Sequence, residues 1–253
     1  MQTVSGKRLE PNRKTTSKMY NLKGQKMNSQ RTVAKLTGYS LILMALIAGF
    51  SFGYAFPKFF DKNQLELAHK TVTENLELYK FMLFGISLVI LLDILVSWTL
   101  YLYFKNENRK LALYSFVFRI IYTLIFCVAI YFLTKNIGQE NNTMVIENYK
   151  SFEFTWSIGL IIFGVHLLIV GLLMRFHKSI PNMLWYLTII AGASYILVHL
   201  LKIVAPNLTE LTNTLNNILA LPMALGELGL AIWLIIKGGK IGKQKTPSRE
   251  TLA

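Results

Sequence analysis

One cysteine and only 13 acidic side chains among 253 residues are the scarcities that constrain this chain most. With Cys127 alone, no intrachain disulfide can staple a small secreted fold and no Cys-x-x-Cys pair exists for zinc or redox work. Cys127 itself sits in an apolar run and reads as a small buried hydrophobe. Charged residues of both signs make up 16% of the chain, well below the share a water-soluble domain uses to cover its surface. Neither a glycine-rich phosphate loop nor a Gly-x-Ser-x-Gly elbow occurs, which removes P-loop nucleotide chemistry and the α/β-hydrolase nucleophile. Also missing are the segments of about ten residues with alternating polarity that a membrane β-barrel requires.

What the chain has instead is apolar length, with 53% hydrophobic residues and a mean hydropathy of +0.42. Six stretches stand out, over 36–56, 79–104, 111–134, 152–176, 181–204 and 215–236. Each holds about 20 residues or more with few charges, enough at about 1.5 Å per residue to cross a hydrocarbon core of about 30 Å. The expectation is an all-α integral membrane protein, a bundle of six helices. Residues 1–35 read as a disordered basic tail and 238–253 as a second basic tail. Met27 opens Met-Asn-Ser-Gln-Arg and is an alternative start to Met1.

The net charge of +14 follows topology and not a nucleic-acid surface. Nine basic residues precede the first span; Lys105, Arg109 and Lys110 fill the second connection, Arg175 and Lys178 the fourth, and Lys237, Lys240, Lys243, Lys245 and Arg249 the tail. The alternate connections mix lysines with Asp61, Glu66, Glu74, Glu77, Glu140, Glu147, Glu153 and Glu210. By the positive-inside rule both termini are expected in the cytoplasm, and the tails are expected to meet anionic lipid headgroups. Trp98, Tyr101, Trp185 and Trp233 then form an inner aromatic belt and Tyr54, Tyr79, Tyr131 and Trp156 an outer one. The tight connections at 105–110 and 177–179 make the spans they join antiparallel neighbours. The segment 57–78 has the pattern of a short surface helix, whereas 144–154 is open between helix and strand. Spans one to three aligned on four to six set Arg119 opposite Glu227 without shared turns or glycines, so no inverted repeat emerges.

Four spans carry one ionisable residue each near mid-depth: Asp93, Arg119, His166 and Glu227. A charge at the bilayer centre costs roughly 2.5 to 3.5 kcal/mol on insertion scales, so such residues need partners or a purpose. They lie about 12, 9, 9 and 10 residues from the basic residues that bound their spans, hence roughly 14 to 18 Å deep. Helical spacing puts Ser97 on the face of Asp93, and Ser115 and Tyr122 on that of Arg119. On span six Asn216, Ala220, Met223 and Glu227 align, with Pro222 withdrawing one helical donor. Tyr195, His199 and Lys202 of span five sit nearer the outer surface and read as a mouth or interface cluster.

Arg119 stays protonated and neutralises one of the two acids; the other acid carries a proton, or a cationic His166 balances it. Two roles fit this set. It is a ligand site of Asp93, Ser97, Ser115, Arg119, Tyr122, His166, Met223 and Glu227, or it is a lock that fixes helix registry. One histidine and two carboxylates beside an arginine argue against a metal, and no cofactor is implied. Gly159, Gly164, Gly171 and Ala191–Ser194 read as points of close helix approach, and Gly226 and Gly229 flank Glu227 for a helix or a substrate.

Phe118-Arg119, Gly164-Val165-His166-Leu167-Leu168 with Gly171, Arg175 through Ser179-Ile180-Pro181, Ala191-Gly192 with Tyr195, and Gly226-Glu227-Leu228 through Trp233-Leu234-Ile235-Ile236-Lys237-Gly238 resemble a bacterial family of six-span membrane proteins. That family is catalogued as domain of unknown function forty-three eighty-six, and the resemblance runs over roughly 33–240. It implies a six-span helical architecture, with the family's polar positions at Asp93, Arg119, His166 and Glu227. Two positions depart from similar members: Tyr122 stands where an acid is frequent, and Val198 follows the span-five tyrosine.

The expected function is binding or translocation of a small polar, anionic or lipid-headgroup ligand in a bacterial cytoplasmic membrane. Arg119 grips the anion, Asp93 orients Arg119, and His166 and Glu227 exchange protons. The second expectation is an intramembrane enzyme acting on a lipid or quinone-like substrate, though the missing signatures lean away from catalysis. The third is an accessory subunit, with a second copy or another protein as partner.

Overall fold

The computed structural model describes residues 13–61 and 64–240, with side chains from Ser29. Six of its helices are long and apolar enough to cross a membrane. The first, α1 (Arg13–Ala48), continues through a π-helical stretch at Gly49–Ala55 into one last turn, α2 (Phe56–Phe59). A short α3 (Ala68–Glu74) leads to α4 (Leu76–Phe104), α5 (Arg109–Thr134), α6 (Asn142–Phe176), α7 (Asn182–Val204) and α8 (Thr209–Ile236). Among the described residues there is no strand.

Each long helix packs on its neighbour in sequence, and α1 packs on α8, so the six close into a ring. Both described chain ends lie at one end of this ring, hereafter the terminal end. Short turns set the order. Asn108, in extended backbone, accepts the Leu111 N–H at 3.1 Å to start α5, and Asn141 accepts the Thr143 N–H at 2.8 Å to start α6. Glycines let α6 and α7 touch backbone to backbone. A Cβ on Gly164 would sit 2.6 Å from the Gly192 carbonyl oxygen, and one on Gly192 2.7 Å from that of Gly164.

Arg31 closes the ring. Its Nη1 donates to the carbonyls of Leu234 (3.0 Å) and Gly238 (2.6 Å), and its Nη2 donates to Ile235, so one cation caps the C-terminus of α8 from α1. Gly239 turns with φ +67° directly against the Arg31 backbone, where a Cβ would lie 2.7 Å from the Arg31 nitrogen. At the far end Tyr79 donates to the Leu133 carbonyl (2.8 Å), Asn136 to Tyr79 (3.2 Å) and Asn148 to Asn136 (2.8 Å), which ties α4, α5 and α6.

Several expectations change. Residues 13–35, expected without regular structure, are helical and continuous with span one; their Lys, Arg, Gln, Met and Leu are good helix formers that outweigh the weaker Thr, Ser and Asn and the single Gly24. The rest of the first tail, 1–12, and 241–253 of the second lie outside the described residues. Span four begins at Asn142, ten residues before its apolar run, since Val145, Asn148, Tyr149 and Phe152 bury one face past the greasy segment. The open segment 144–154 is therefore helix. Cys127 is exposed on the outer surface of α5 and is not buried. Tyr79, Trp156 and Trp233 are not belt residues. Tyr79 and Trp233 are buried in the core, and Trp156 stacks on Phe52 with ring centroids 4.6 Å apart.

Candidate functional site

Arg119 is the largest fully buried side chain of the bundle and lies on the inward stripe of α5. Its Nε donates to Asp93 Oδ1 on α4 at 2.9 Å, and its Nη2 stands 2.7 Å from the same oxygen. Nη1 donates to Glu227 Oε1 on α8 at 3.0 Å and to His166 Nε2 on α6 at 3.2 Å. The second Nη2 proton faces Met44 Sδ on α1 at 3.9 Å, and the guanidinium lies 5.2 Å over the Phe163 ring of α6. One side chain thus joins five of the six spans.

Of the five guanidinium N–H donors, that of Nε, both of Nη1 and one of Nη2 have hydrogen-bond acceptors, with the soft Met44 sulfur the weakest, and Nη2 is also in ion-pair contact with Asp93. Arg119 is therefore a satisfied linker, and gripping an anion would require breaking one of these bonds. His166 is fixed just as firmly. Its Nδ1 donates to the Ser115 carbonyl at 2.8 Å, with Ser115 Oγ alongside at 3.1 Å, while its Nε2 accepts from Arg119. An acceptor on one nitrogen and a donor on the other make a neutral imidazole, so His166 does not balance the second carboxylate. Two acids and one guanidinium leave one negative charge, which a proton, a cation or a hydrogen-bond donor must meet.

That charge faces open space. The side chain of Glu227 is 22% exposed, against 1% for Asp93, and both line a cavity of about 530 Å³. Its walls are mostly apolar and aromatic: Leu41 and Met44 from α1, Phe52 from the π-helical stretch, Tyr122 and Phe126 from α5, Trp156 and Phe163 from α6, Tyr195 from α7, and Met223 from α8. Towards the far end it passes His199, Lys202 and Asn216. His199 Nδ1 lies 3.2 Å from Ser157 Oγ, and Trp156 Nε1 is buried without a partner.

Of the eight residues singled out by sequence, Asp93, Arg119, Tyr122, Met223 and Glu227 line the cavity. His166 and Ser115 stand behind Arg119 and hold it, outside the lining. Ser97 is not brought to the group: its hydroxyl donates to the carbonyl of Ile94 in its own helix at 2.8 Å. Tyr195, His199 and Lys202, expected only at a mouth, line the same cavity at spacings of four and three along α7. Trp156 and Phe52 were missed as site residues, and their only signal was the inward face that no depth count supplies. Gly226 meets Ala191 Cβ and Gly229 meets Leu184, so both admit α7 beside Glu227. Among the described residues no group of three or more His, Cys, Asp or Glu converges as a metal site.

Compared with known proteins, residues 36–238 match the family model described as Domain of unknown function (DUF4386). A protein of Archaeoglobus fulgidus, described as uncharacterized, is 28% identical over 169 residues, which cover 67% of this chain and 91% of that protein. No solved structure matches the chain.

Proposed function

The chain belongs to the family described as Domain of unknown function (DUF4386), and on that footing we propose that it binds a lipid-like amphiphile in its cavity, with the ligand's polar group donating a hydrogen bond to Glu227. The observation that carries this reading is an aromatic-walled cavity of about 530 Å³ into which the Glu227 carboxylate, 22% exposed, opens at the level of Arg119, with Lys202 towards the far end. The volume suits a small molecule, within the roughly 300 to 1,000 Å³ usual for ligand pockets. A hydrated ion finds few partners on Leu41, Phe52, Phe126, Trp156 and Leu160.

Selectivity then rests on the polar end. Lipid tails are as apolar as these walls, so an apolar body gains little by leaving the bilayer. A hydrogen bond to an ionised carboxylate contributes about 1.5 to 3 kcal/mol, which is the term that separates the ligand from bulk lipid. The donor count at Arg119 shifts the expected anion-gripping role to a donor-binding role at Glu227, whose carboxylate is also the group placed to exchange a proton. Asp93, Arg119, His166 and Ser115 serve as the lock that holds Glu227 in position. The registry reading of the sequence and the ligand reading therefore apply to different members of one cluster.

The protein is placed in a cytoplasmic membrane with both termini inside, on the support of Lys105, Arg109, Lys110, Arg175, Lys178, Lys237 and Lys240 at the terminal end. The test is a thermal-stability screen of the detergent-purified protein against phospholipids, long-chain alcohols, long-chain amines and quinols. At least one amphiphile with a donor group raises the melting temperature of the parent and fails to raise that of Glu227→Gln. Equal stabilisation of the two proteins by every compound would overturn the assignment to Glu227.

A further inference from the structure

The ring of helices is not equally tight along its length. Contact between α1 and α8 is close at the terminal end, where Gly38 lies against Ala231 and Ile235, Gly238 against Ala34, and Gly239 against Arg31. There α8 buries Met223, Gly226, Leu230, Ala231, Trp233 and Leu234. Between Thr209 and Leu221 it buries only Thr212, and Ile218 and Leu221 are each 66% exposed. The π-helical stretch opposite packs on α1, α2 and α4.

Both walls of this looser half carry a backbone irregularity at the same place. Helix α1 widens to π geometry at Gly49–Ala55, where the Phe56 N–H reaches back to the Ser51 carbonyl. Helix α8 contains Pro222, which has no N–H for the Ile218 carbonyl four residues earlier. Such positions are where helices kink and where half-helices move relative to each other. Between them the cavity is lined by Ala45 and Ala48 on α1, Phe52 on the π-helical stretch, and Asn216, Met223 and Ala224 on α8. Ala224 lines the cavity and is exposed, as are its neighbours Leu221 and Leu225 on α8.

We propose that the ligand enters sideways from the bilayer, through a portal between α1 and α8 flanked by Ala48 and Ala224, with the segment of α8 before Pro222 as its movable wall. The inference rests on the amphiphile reading and narrows it: the ligand is dissolved in the lipid phase and carries an acyl or isoprenoid-type chain. A water-soluble molecule would instead use the far end, where a second pocket of about 390 Å³ between α6, α7 and α8 shares Lys202 with the cavity and is lined by Lys150, Glu153 and Asn213. Small side chains at Ala45, Ala48 and Ala224 leave the chain-wide gap that bulkier residues would fill.

The test uses the cavity's own tryptophan. The full-length protein is reconstituted in phosphatidylglycerol bilayers with and without bromine on the acyl chains, and the Trp156 signal is taken as the difference between the parent and Trp156→Phe. Quenching of Trp156 by brominated chains in the parent, its loss in both Ala224→Phe and Ala48→Phe, and its retention in Asn213→Phe are the expected results. Retention in both portal variants, or loss only in Asn213→Phe, would overturn the lateral route and leave amphiphile binding standing. Absence of Trp156 quenching in the parent overturns the portal for bilayer chains; if no donor-bearing amphiphile raises the parent's melting temperature either, the amphiphile reading falls with it. Ala224 is exposed, so the larger side chain is accommodated without disturbing the core, and unchanged melting of the variant confirms that it folds.

Discussion

Removing Arg119 alone should damage this protein more than removing Asp93 and Arg119 together. Two Arg119 donors, Nε at 2.9 Å and Nη2 at 2.7 Å, converge on one Asp93 oxygen, and the two side chains are 0% and 1% exposed. Asp93→Leu strips both acceptor contacts from a cation that has no water to turn to. The Glu227 carboxylate remains 3.0 Å away as its counter-charge, so the cost is that of donors left unsatisfied, about 1 to 3 kcal/mol. Arg119→Met removes the bonds to Glu227 and His166 as well and leaves the Asp93 carboxylate, 1% exposed, with no cation; breaking a buried pair in this way costs about 3 to 5 kcal/mol, chiefly because the surviving charge is left uncompensated. The double replacement Asp93→Leu/Arg119→Met leaves no orphan at that spot, since Glu227 retains access to the cavity and His166 keeps its bond to the Ser115 carbonyl. A coupling energy of about 2 kcal/mol or more is therefore expected. Hydrogen bonds between membrane helices average about 0.6 kcal/mol and reach about 1.7, so a value above that range separates an ionic lock from ordinary polar contacts. The assay is reversible unfolding in mixed micelles, followed by circular dichroism for the parent, both single variants and the double variant. Additive single effects, each below about 1 kcal/mol, would refute the reasoning.

Three further outcomes follow from particular contacts. Arg31→Gln takes a cation from three carbonyls at the end of α8 and should cost about 1 to 2 kcal/mol in the same unfolding assay. Gly164→Ala drives a methyl to 2.6 Å from the Gly192 carbonyl and should cost about 1 to 3 kcal/mol, with a matching fall in melting temperature. A fluorescent-protein fusion after Lys240 should glow and an alkaline-phosphatase fusion there should be inactive, as the basic residues at that end require; the reverse pattern would invert the topology.

Helical character and span number were legible because a bilayer imposes both: about 20 apolar residues in a row have no other economical structure. Boundaries were less so. The start of α6 lies where Asn141 caps it, and nothing in the hydropathy of residues 142–151 marks that point, because the helix there buries its face on protein and not on lipid. Depth can be counted along a helix, but direction around it needs a second reference. For that reason Tyr79, Trp156 and Trp233 read from sequence as interfacial belt residues although they point inward. The same limit explains Ser97, whose hydroxyl is satisfied within its own helix turn, and Tyr195, His199 and Lys202, which line a cavity tall enough to span about 10 Å of α7. The π-helical stretch in α1 has no clear signature in Gly-Phe-Ser-Phe-Gly. The donor count at Arg119, which moves the ligand contact from the arginine to Glu227, needs coordinates: sequence gives the charges but not which of their hydrogen bonds are already used.

The most direct test of the account is native mass spectrometry of the protein released from bilayers, comparing the parent with Glu227→Gln. The account expects one amphiphile retained per parent chain, and a dissociation constant raised about tenfold in Glu227→Gln, the difference between a charge-assisted and a neutral hydrogen bond. Equal retention by both proteins, or a parent that carries no amphiphile, would contradict it.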